Sequence, residues 1–373
     1  MLISCRVSNW SGFTAINQLF QHRGLHFSPA CYPGQRYGSN TDETLSCYDP
    51  RFDSRLNQSN SPMQRNFYGF VLSLNAAFMW GVLPIALKEL LAGMDAMTIV
   101  WYRFLVAGLV LFIFLAYNRR FPDPRKVQVN VRWLLIIAAI GLGSNYFLFS
   151  FSLNYVNAET SEAVIQLTTL LLILGGVAFY NEPFLPIQRL GTLLIVVGMV
   201  LFFNDRFSTL MNTGSREFTG VSIVFVAALT WTVYALVQKH LLLHFSVAQL
   251  LLLIYMFLVF TLLPFITPQI LFDLTTAQLL LLLFCCINTL IAYGCFAEAM
   301  NCWDASKVSA VLALAPLFTI SVLKLIVRFY PDYAFSDRLN LISLLGALVL
   351  VLGSVFTALM PLFQQRRNRA GIG

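Results

Sequence analysis

The sequence predicts an all-α polytopic membrane protein with ten transmembrane helices, arranged as two inverted five-helix repeats. Three observations predict this fold: the composition, the number of apolar segments and an internal duplication. Of the 373 residues, 58% are hydrophobic and 11% are charged, and the mean hydropathy is +0.72. A soluble domain carries about 25% charged residues. A chain this apolar cannot cover itself with polar surface, so the lipid bilayer must be its solvent.

The first 62 residues differ in composition from the rest of the chain. They are rich in Ser, Asn, Arg, Pro and Gly, and they contain no long apolar run. They also lack the apolar core and the cleavage site of a signal peptide. This composition predicts a disordered N-terminal extension over 1–62. The alternative is an incorrectly assigned start, with translation beginning at Met63.

Ten apolar segments follow, and each approaches the length of about 20 residues that crosses a membrane. They cover 67–88, 96–117, 133–153, 159–179, 187–204, 219–240, 247–266, 277–300, 305–327 and 339–360. Short stretches rich in Pro or charge separate them, such as 119–126 and 267–268. The boundary between the fourth and fifth segments is the least marked, and a basic tail over 361–373 ends the chain.

The first and sixth segments are copies of one another. Six residues recur 151 positions later: Gly69, Ala76, Ala77, Trp80, Val82 and Lys88 match Gly220, Ala227, Ala228, Trp231, Val233 and Lys239. The repeat divides the membrane region into 67–204 and 219–360. Because each half has an odd number of spans, the second half enters the membrane from the opposite side. Inverted repeats of this kind build many secondary transporters.

Later segments extend the duplication. Glycines seven positions apart mark the fifth segment at Gly191 and Gly198, and the tenth at Gly346 and Gly353. Small residues at this spacing permit close helix packing, and a homodimer is one use that remains open. In the fourth and ninth segments, four residues match: Ala158, Ala163, Val164 and Leu167 correspond to Ala305, Ala310, Val311 and Leu314.

The distribution of Lys and Arg predicts the orientation. With 1–62 left out, and with Arg103 and Lys324 set aside as lying within spans, twelve lie on the side that holds both termini. Five lie on the other side: Lys88, Arg206, Arg216, Arg328 and Arg338. The positive-inside rule therefore places both termini in the cytoplasm of a protein of the inner, or plasma, membrane. The net charge of +7 is explained by these loops. No basic patch is interleaved with exposed aromatics, so nucleic acid is not an expected partner.

Several stretches, taken in order, resemble a known family. They are Ala76-Ala77-Phe78-Met79-Trp80-Gly81, Lys88-Glu89-Leu90, Trp101-Tyr102-Arg103-Phe104-Leu105-Val106-Ala107, Asn181-Glu182-Pro183 ahead of Gly191 and Gly198, and Ala305-Ser306 with Pro316. Together they resemble the EamA-type carriers of the drug/metabolite transporter superfamily. The resemblance implies ten helices and the export or exchange of small metabolites, amino acids or toxic compounds.

The chain departs from that family's pattern in two places. Thr169 stands where the fourth helix usually has a proline, and Phe329-Tyr330-Pro331-Asp332 stands where the second half usually keeps a glutamate. These departures concern helix kinking and gating at those places.

Nine side chains are expected to line a solute pathway because they place indole or polar groups near the middle of the spans. They are Trp80, Asn145, Tyr146, Gln166, Thr169, Trp231, Tyr234, Asn288 and Tyr293. Polar groups at this depth need partners in the protein or in cavity water. For each residue alone, helix packing or an interhelical hydrogen bond is the alternative.

Four ionisable side chains are candidates for coupling or gating. One hypothesis is that Glu162 or Glu298 takes up a proton, because intramembrane charge is costly and usually functional. The alternative for Glu298 is an interfacial position in water. The alternative for Arg103 is a structural bridge to a Glu or to a helix end. Glu182 is expected in a loop or at a helix start, where it could hold the inner gate shut.

These patterns favour a secondary carrier that exports a small-molecule solute by alternating access, with proton coupling left open. No phosphate-binding loop is present, so ATP-driven transport is not expected. Neither a cofactor nor a metal is expected: the seven cysteines lack zinc spacing, and His240 and His244 have no accompanying carboxylate. The alternatives are a membrane-embedded enzyme, disfavoured by the absence of clustered His, Asp or Glu, and a non-transporting scaffold or channel.

Overall fold

The computed structural model describes residues 62–122, 128–180, 186–302 and 305–370. Within these ranges every regular element is helical and no strand occurs. The predicted N-terminal extension lies outside them except for its last residue, and so does Glu182.

In the described residues of the first half of the membrane region there are six helices. They are α1 (Pro62–Leu90), α2 (Ala96–Tyr117), α3 (Val129–Ser152), α4 (Ala158–Ile165), α5 (Leu167–Tyr180) and α6 (Pro186–Phe202). Seven more follow: α7 (Phe207–Met211), α8 (Arg216–Leu241), α9 (Val247–Leu262), α10 (Thr276–Cys302), α11 (Ala305–Leu312), α12 (Ala315–Phe329) and α13 (Leu341–Ala370). Two short 3₁₀ segments, Leu263–Phe265 and Pro268–Asp273, connect α9 to α10.

Eight candidate membrane spans are present in the described residues, with α4–α5 and α11–α12 each forming a single interrupted span. Two further apolar helices, Pro186–Phe202 and Leu341–Thr357, are shorter. They occupy the fifth and tenth predicted segments. Helix α13 continues to Ala370, through most of the stretch that the sequence predicts to be a separate tail.

Local sequence signals explain where several helices begin. The Asp95 carboxylate accepts a hydrogen bond from the Thr98 backbone N–H at 2.9 Å and caps α2. The Ser215 hydroxyl caps α8 in the same way through Phe218. Ser246 and Gln249 form a reciprocal capping box at the start of α9. Each cap satisfies backbone donors that a helix leaves unpaired at its N-terminus.

The fourth and ninth predicted segments are each broken, at corresponding positions. The first break falls at Gln166 between α4 and α5, and the second falls between Leu312 and Ala315. Pro316 accounts for the second break, because proline has no backbone N–H to continue the helix. The first break occurs without a proline, although Thr169 stands where the family resemblance leads one to expect it.

The two halves pack against each other in reciprocal pairs. Helix α1 packs against α10 and α12 of the second half, while α8 packs against α3 and α5 of the first. Helix α2 packs against α9, and α6 packs against α13. The contacts of α1 with the second half therefore correspond to the contacts of α8 with the first half.

The α6–α13 contact is built on glycines. A Cβ atom added to Gly353 would lie 2.7 Å from the carbonyl oxygen of Gly191 and 2.7 Å from the backbone nitrogen of Ile195. One added to Gly198 would lie 2.7 Å from the Cα of Leu350. No side chain larger than hydrogen fits such a close approach of backbones. The glycine pairs are therefore used inside the chain, and these faces are not free for a homodimer.

Candidate functional site

Aromatic side chains from both halves meet between the helices. Phe104 of α2 lies 4.8 Å from Tyr146 of α3 and 5.2 Å from Tyr255 of α9, measured between ring centroids. Tyr146 stacks at 6.3 Å on Tyr293 of α10. Such distances are typical of favourable aromatic pairs.

The two repeat-related tryptophans border this group of rings. Trp80 contacts Tyr293 edge to face at 5.4 Å, and Trp231 packs against the buried core that contains Tyr146 and Tyr255. Both indoles are only partly buried, whereas Tyr234 on the same helix as Trp231 is buried. We call this set the aromatic cluster: Trp80, Phe104, Tyr146, Trp231, Tyr234, Tyr255 and Tyr293.

Arg103 lies beside the aromatic cluster and is 3% exposed. Its Nε atom donates a hydrogen bond to Thr289 Oγ1 at 3.0 Å, and its guanidinium carbon lies 4.6 Å from the centroid of the Tyr146 ring. No carboxylate among the described residues pairs with it. A bridge from Arg103 to a glutamate, one alternative suggested by the sequence, is therefore not what this part of the chain shows.

Two buried asparagines join the halves in matching ways. Asn145 of α3 donates from Nδ2 to the carbonyl oxygen of Ala227 on α8 at 2.9 Å. Asn288 of α10 donates from Nδ2 to the carbonyl oxygen of Met79 on α1 at 2.6 Å. In each case an amide of one half bonds the tryptophan-bearing helix of the other.

Three polar atoms near the aromatic cluster are buried and have no hydrogen-bond partner within the described residues. They are the hydroxyl oxygens of Tyr146 and Tyr255 and the Oδ1 atom of Asn288. A buried polar group without a partner destabilises a fold by about 1–3 kcal/mol. Unpaired polar groups at this place can bond to a bound solute or to water.

The remaining expected site residues have different surroundings. Glu162 on α4 is 5% exposed, and no described residue pairs with its carboxylate. Gln166 forms the helix break, and Thr169 on α5 is partly buried. Helix α5 packs against α8, which carries Trp231. Glu298 near the end of α10 is exposed.

Charged and hydroxyl groups gather at one end of the bundle. The Nη1 atom of Arg206 lies 3.3 Å from a carboxylate oxygen of Glu217 and 3.3 Å from one of Asp337. Asp337 accepts hydrogen bonds from the Thr160 hydroxyl at 2.6 Å and the Thr160 backbone N–H at 3.2 Å. Glu159 accepts a hydrogen bond from the Asp337 backbone N–H at 3.3 Å. We call this set the Arg206 cluster: Glu159, Thr160, Arg206, Glu217 and Asp337.

Lys88 lies at the same end. Its Nζ atom donates hydrogen bonds to the carbonyl oxygens of Leu153 and Val156, the latter at 3.0 Å. It also lies 5.4 Å from the centroid of the Phe335 ring. In the same loop, burial and the nearby Glu89 carboxylate raise the pKa of Tyr333 above its usual value. Helix α1, the start of α4 and the loop before α13 are thus linked across the halves.

Asp337 is a functional candidate that the sequence expectation misses. The family resemblance directs attention to 329–332, where Asp332 is exposed. Asp337 precedes Gly346 by nine positions, as Glu182 precedes Gly191. The second half therefore keeps an acid at this place in the repeat, and the spacing to the glycine is the signal that reveals it.

Tyr255, Phe104 and Thr289 are also missed by sequence reasoning. Tyr255 is the single tyrosine of the mostly apolar α9, so its hydroxyl offers a weak signal. Phe104 follows Arg103, and Thr289 follows Asn288, but neither residue type is unusual in a membrane span. Their importance comes from contacts between helices, which the sequence does not reveal.

The part of the chain that the structure describes holds no group of three or more His, Cys, Asp or Glu residues arranged to bind a metal ion. His240 and His244 lie 5.7 Å apart between ring centroids. The arrangement that does exist, rings and neutral polar groups around one guanidinium, suits non-covalent binding of a small organic molecule.

The sequence profile of the EamA-like transporter family matches this chain twice, over residues 67–204 and 218–359. The chain belongs to the EamA-like transporter family. This membership implies membrane transport, and the relatives within the family are consistent with it.

Relatives with transporter names share most of the chain. An uncharacterized transporter of Haemophilus influenzae is 40% identical over 296 residues, which is 79% of this chain and 96% of that protein. The uncharacterized inner membrane transporter YhbE of Escherichia coli is 37% identical over 293 residues, covering 78% of this chain and 91% of YhbE. A solved crystal structure of a protein with 17% identity covers 78% of this chain and 96% of its own, with a TM-score of 0.53. That likeness supports the fold alone.

Proposed function

We propose that this EamA-family protein is a secondary carrier that exports a small metabolite, amino acid or toxic compound by alternating access. Its proposed location is the inner membrane, as the name of the YhbE relative suggests, with both termini in the cytoplasm. The transporter names of the relatives give no support to the alternatives of a membrane-embedded enzyme or a scaffold.

The proposal includes ten spans in two inverted repeats, 67–204 and 219–360. Three features support it. The helices pack in reciprocal pairs between the halves. The fourth and ninth spans break at corresponding positions. Asn145 and Asn288 make matching bonds to the first helix of the opposite half. Reciprocal contacts are what a pseudo-two-fold axis in the membrane plane would produce.

The observation that carries the proposal is the position of the aromatic cluster. Its rings come from α1, α2 and α3 of one half and from α8, α9 and α10 of the other. A solute bound among these rings would lie between two units that can move relative to each other. The Arg206 cluster joins the halves at one end of the bundle, which we interpret as the closed outer gate.

Opening at that end would require the Arg206 contacts to separate. Ionic and hydroxyl contacts suit a reversible closure, because water can replace each partner when the contact breaks. In this scheme we also propose Glu182 as a gating residue at the opposite end, because it corresponds to Asp337 in the sequence repeat. Glu162 is the better-supported proton carrier, because it is buried and pairs with no residue in the described part of the chain, whereas Glu298 is exposed.

The proposal can be tested by profiling metabolites in the medium of cells that express the wild type or the double variant Trp80→Ala with Trp231→Ala. A matched control is Trp133→Ala, because the Trp133 side chain is 58% exposed on the outside of the bundle. We expect one or a few solutes to accumulate outside with the wild type and with the control. The double variant should reduce this accumulation at least about fivefold, because two indoles provide stacking worth about 1–3 kcal/mol in total.

Three outcomes are distinguishable. Loss of accumulation only in the double variant supports both the carrier function and the place of the tryptophans on the pathway. Equal accumulation in all three, with membrane insertion verified, removes the tryptophans from the pathway but keeps the carrier. Medium identical to that of empty-vector cells, in both export and uptake assays, contradicts the carrier function.

A further inference from the structure

Arg103 has more hydrogen-bonding capacity than its surroundings use. A guanidinium carries five N–H donors. Only Nε–H is used, toward Thr289 Oγ1, while one guanidinium face is covered by the Tyr146 ring. The two terminal amino groups make no hydrogen bond to any residue that the structure describes.

The charge of Arg103 is also uncompensated. It lies two turns into α2, about 10 Å along the helix from its start, where a cation is costly unless paired. The Tyr146 ring supplies a cation–π contact, which offsets only part of that cost. The Thr289 hydroxyl is neutral, and it donates its own proton to the carbonyl oxygen of Cys285 at 3.0 Å. Nothing in the described surroundings therefore balances the positive charge.

We propose that Arg103 binds the carboxylate of the transported solute, which makes the substrate an organic monocarboxylate. This inference rests on the carrier function proposed above and specifies its substrate class. The free terminal amino groups of a guanidinium match the two oxygens of a carboxylate in a bidentate pair. Such a pair leaves the bond to Thr289 and the contact with Tyr146 in place.

The number of cations near the cluster favours a single negative charge. Among the described span residues whose burial is known, Lys88 and Arg216 donate to backbone carbonyl oxygens at the Arg206 end. The others, Arg132, Arg189, Lys324 and Arg328, are exposed. A phosphate or dicarboxylate dianion would therefore keep one charge unbalanced inside the bundle. One carboxylate neutralises one guanidinium.

The neighbours of Arg103 also define the rest of the solute. Trp80, Trp231 and Tyr293 are partly exposed and offer flat apolar surfaces. The hydroxyls of Tyr146 and Tyr255, which have no hydrogen-bond partner among the described residues, can donate to a carboxylate oxygen or another acceptor. These features fit an aromatic or branched aliphatic acid, whose body packs on the rings while its carboxylate faces Arg103.

The test compares three acids with their neutral amides on the full-length protein, purified in detergent. The probes are phenylacetate, benzoate and isovalerate, against phenylacetamide, benzamide and isovaleramide. Binding is followed by intrinsic tryptophan fluorescence and by the shift in Tm at saturating probe. The variants are Arg103→Gln, Arg103→Lys and, as a matched control, Lys324→Gln, which removes an exposed cation from another span.

We expect at least one acid to bind the wild type and the Lys324→Gln variant, while its amide does not. Arg103→Gln should weaken that binding at least about tenfold, as expected for loss of a charge-assisted hydrogen-bonded pair. Arg103→Lys should restore part of it, because it keeps the charge without the planar fork. Partial rescue by Arg103→Lys also shows that the loss is not caused by misfolding.

Acid binding that is unchanged in a folded Arg103→Gln variant would overturn the proposal, as would failure of every acid to bind the wild type. Metabolite profiling separates this failure from failure of the carrier function. If the exported solute carries no carboxylate, the protein is still a carrier, but Arg103 does not bind a substrate anion. If every exported solute is a monocarboxylate and Arg103→Gln abolishes its export, both proposals are supported.

Discussion

The two halves of the protein touch in two very different ways. Between α6 and α13 the contact is made by glycines against backbone, with no space for a single added carbon atom. Around the aromatic cluster the contact is made by rings, amides and one guanidinium. Three polar atoms there have no hydrogen-bond partner among the described residues. The first contact has no space for a further atom, whereas the second has polar groups that could still form hydrogen bonds.

This difference indicates which part of the molecule is fixed and which can change. Close-packed backbones resist rearrangement because any shift produces overlap or a void. Partly exposed rings and unpaired polar groups can take up contacts with a solute or water without first breaking a hydrogen bond. We infer that α6 and α13 hold the halves together while the helices around the aromatic cluster adjust.

The largest effect is expected from adding a methyl group at the contact between α6 and α13. In Gly353→Ala the new carbon would meet the Gly191 carbonyl oxygen at 2.7 Å, a distance that real Cβ atoms do not adopt. We expect destabilisation of about 3 kcal/mol or more, because the added carbon would also meet the backbone nitrogen of Ile195 and the Cβ of Leu194. It should be seen as a lower Tm and a lower yield of monodisperse protein. Gly294→Ala is the matched control, because nothing lies within 4 Å of its added carbon. Equal stability of the two variants would refute the fixed contact.

A smaller effect is expected from breaking the Arg206 cluster. Asp337→Asn removes the ion pair with Arg206 and weakens the hydrogen bond from Thr160, so this end should open more often. A loss of about 1.5–3 kcal/mol corresponds to a tenfold or greater change in the open fraction. The measurement is the rate at which a single cysteine at Ala163, which is 1% exposed, reacts with a thiol reagent.

The control for that experiment is Asp332→Asn, an exposed acid in the same loop. It should leave the labelling rate at Ala163→Cys unchanged. If Asp332→Asn accelerates labelling and Asp337→Asn does not, then Asp337 is not the gating counterpart of Glu182.

The smallest structural effect is expected at Glu162, where the change concerns coupling rather than folding. Glu162→Gln removes an ionisable group that pairs with no described residue, so no ion pair is lost and Tm should change little. Export driven by an imposed pH gradient should become independent of that gradient. Glu298→Gln serves as the exposed comparison and should keep the pH dependence. The reverse result would transfer the proton-carrier role to Glu298.

Much of the helical architecture can be predicted from the sequence, because a membrane-spanning helix is recognisable as a run of about 20 mostly apolar residues. The helix positions, the Trp80–Trp231 pair and most polar members of the site follow from hydropathy and the repeat. The break at Gln166 does not, because no proline marks it. Nor do the partners of Arg103, because Thr289 and Tyr146 are brought to it by tertiary packing.

Asp337 illustrates a second limit. Its correspondence to Glu182 becomes clear only when the loop is aligned from Gly346 backwards, since insertions shift the apparent position of the acid. Its contacts with Arg206 and Thr160 join three separate parts of the chain. Such a convergence depends on loop conformation, for which composition carries little information.

The interruption at Gln166 has a mechanical consequence. On one side of it, α4 holds Glu159 and Thr160 in the Arg206 cluster, and on the other side α5 packs along α8. A continuous helix would act as a rigid lever and transmit any tilt of one end to the other. Because the helix is broken at Gln166, α4 can move away from Asp337 while α5 stays packed against α8. We infer that each half contains such a helix break. One end of the transport pathway can then open while the other end stays closed.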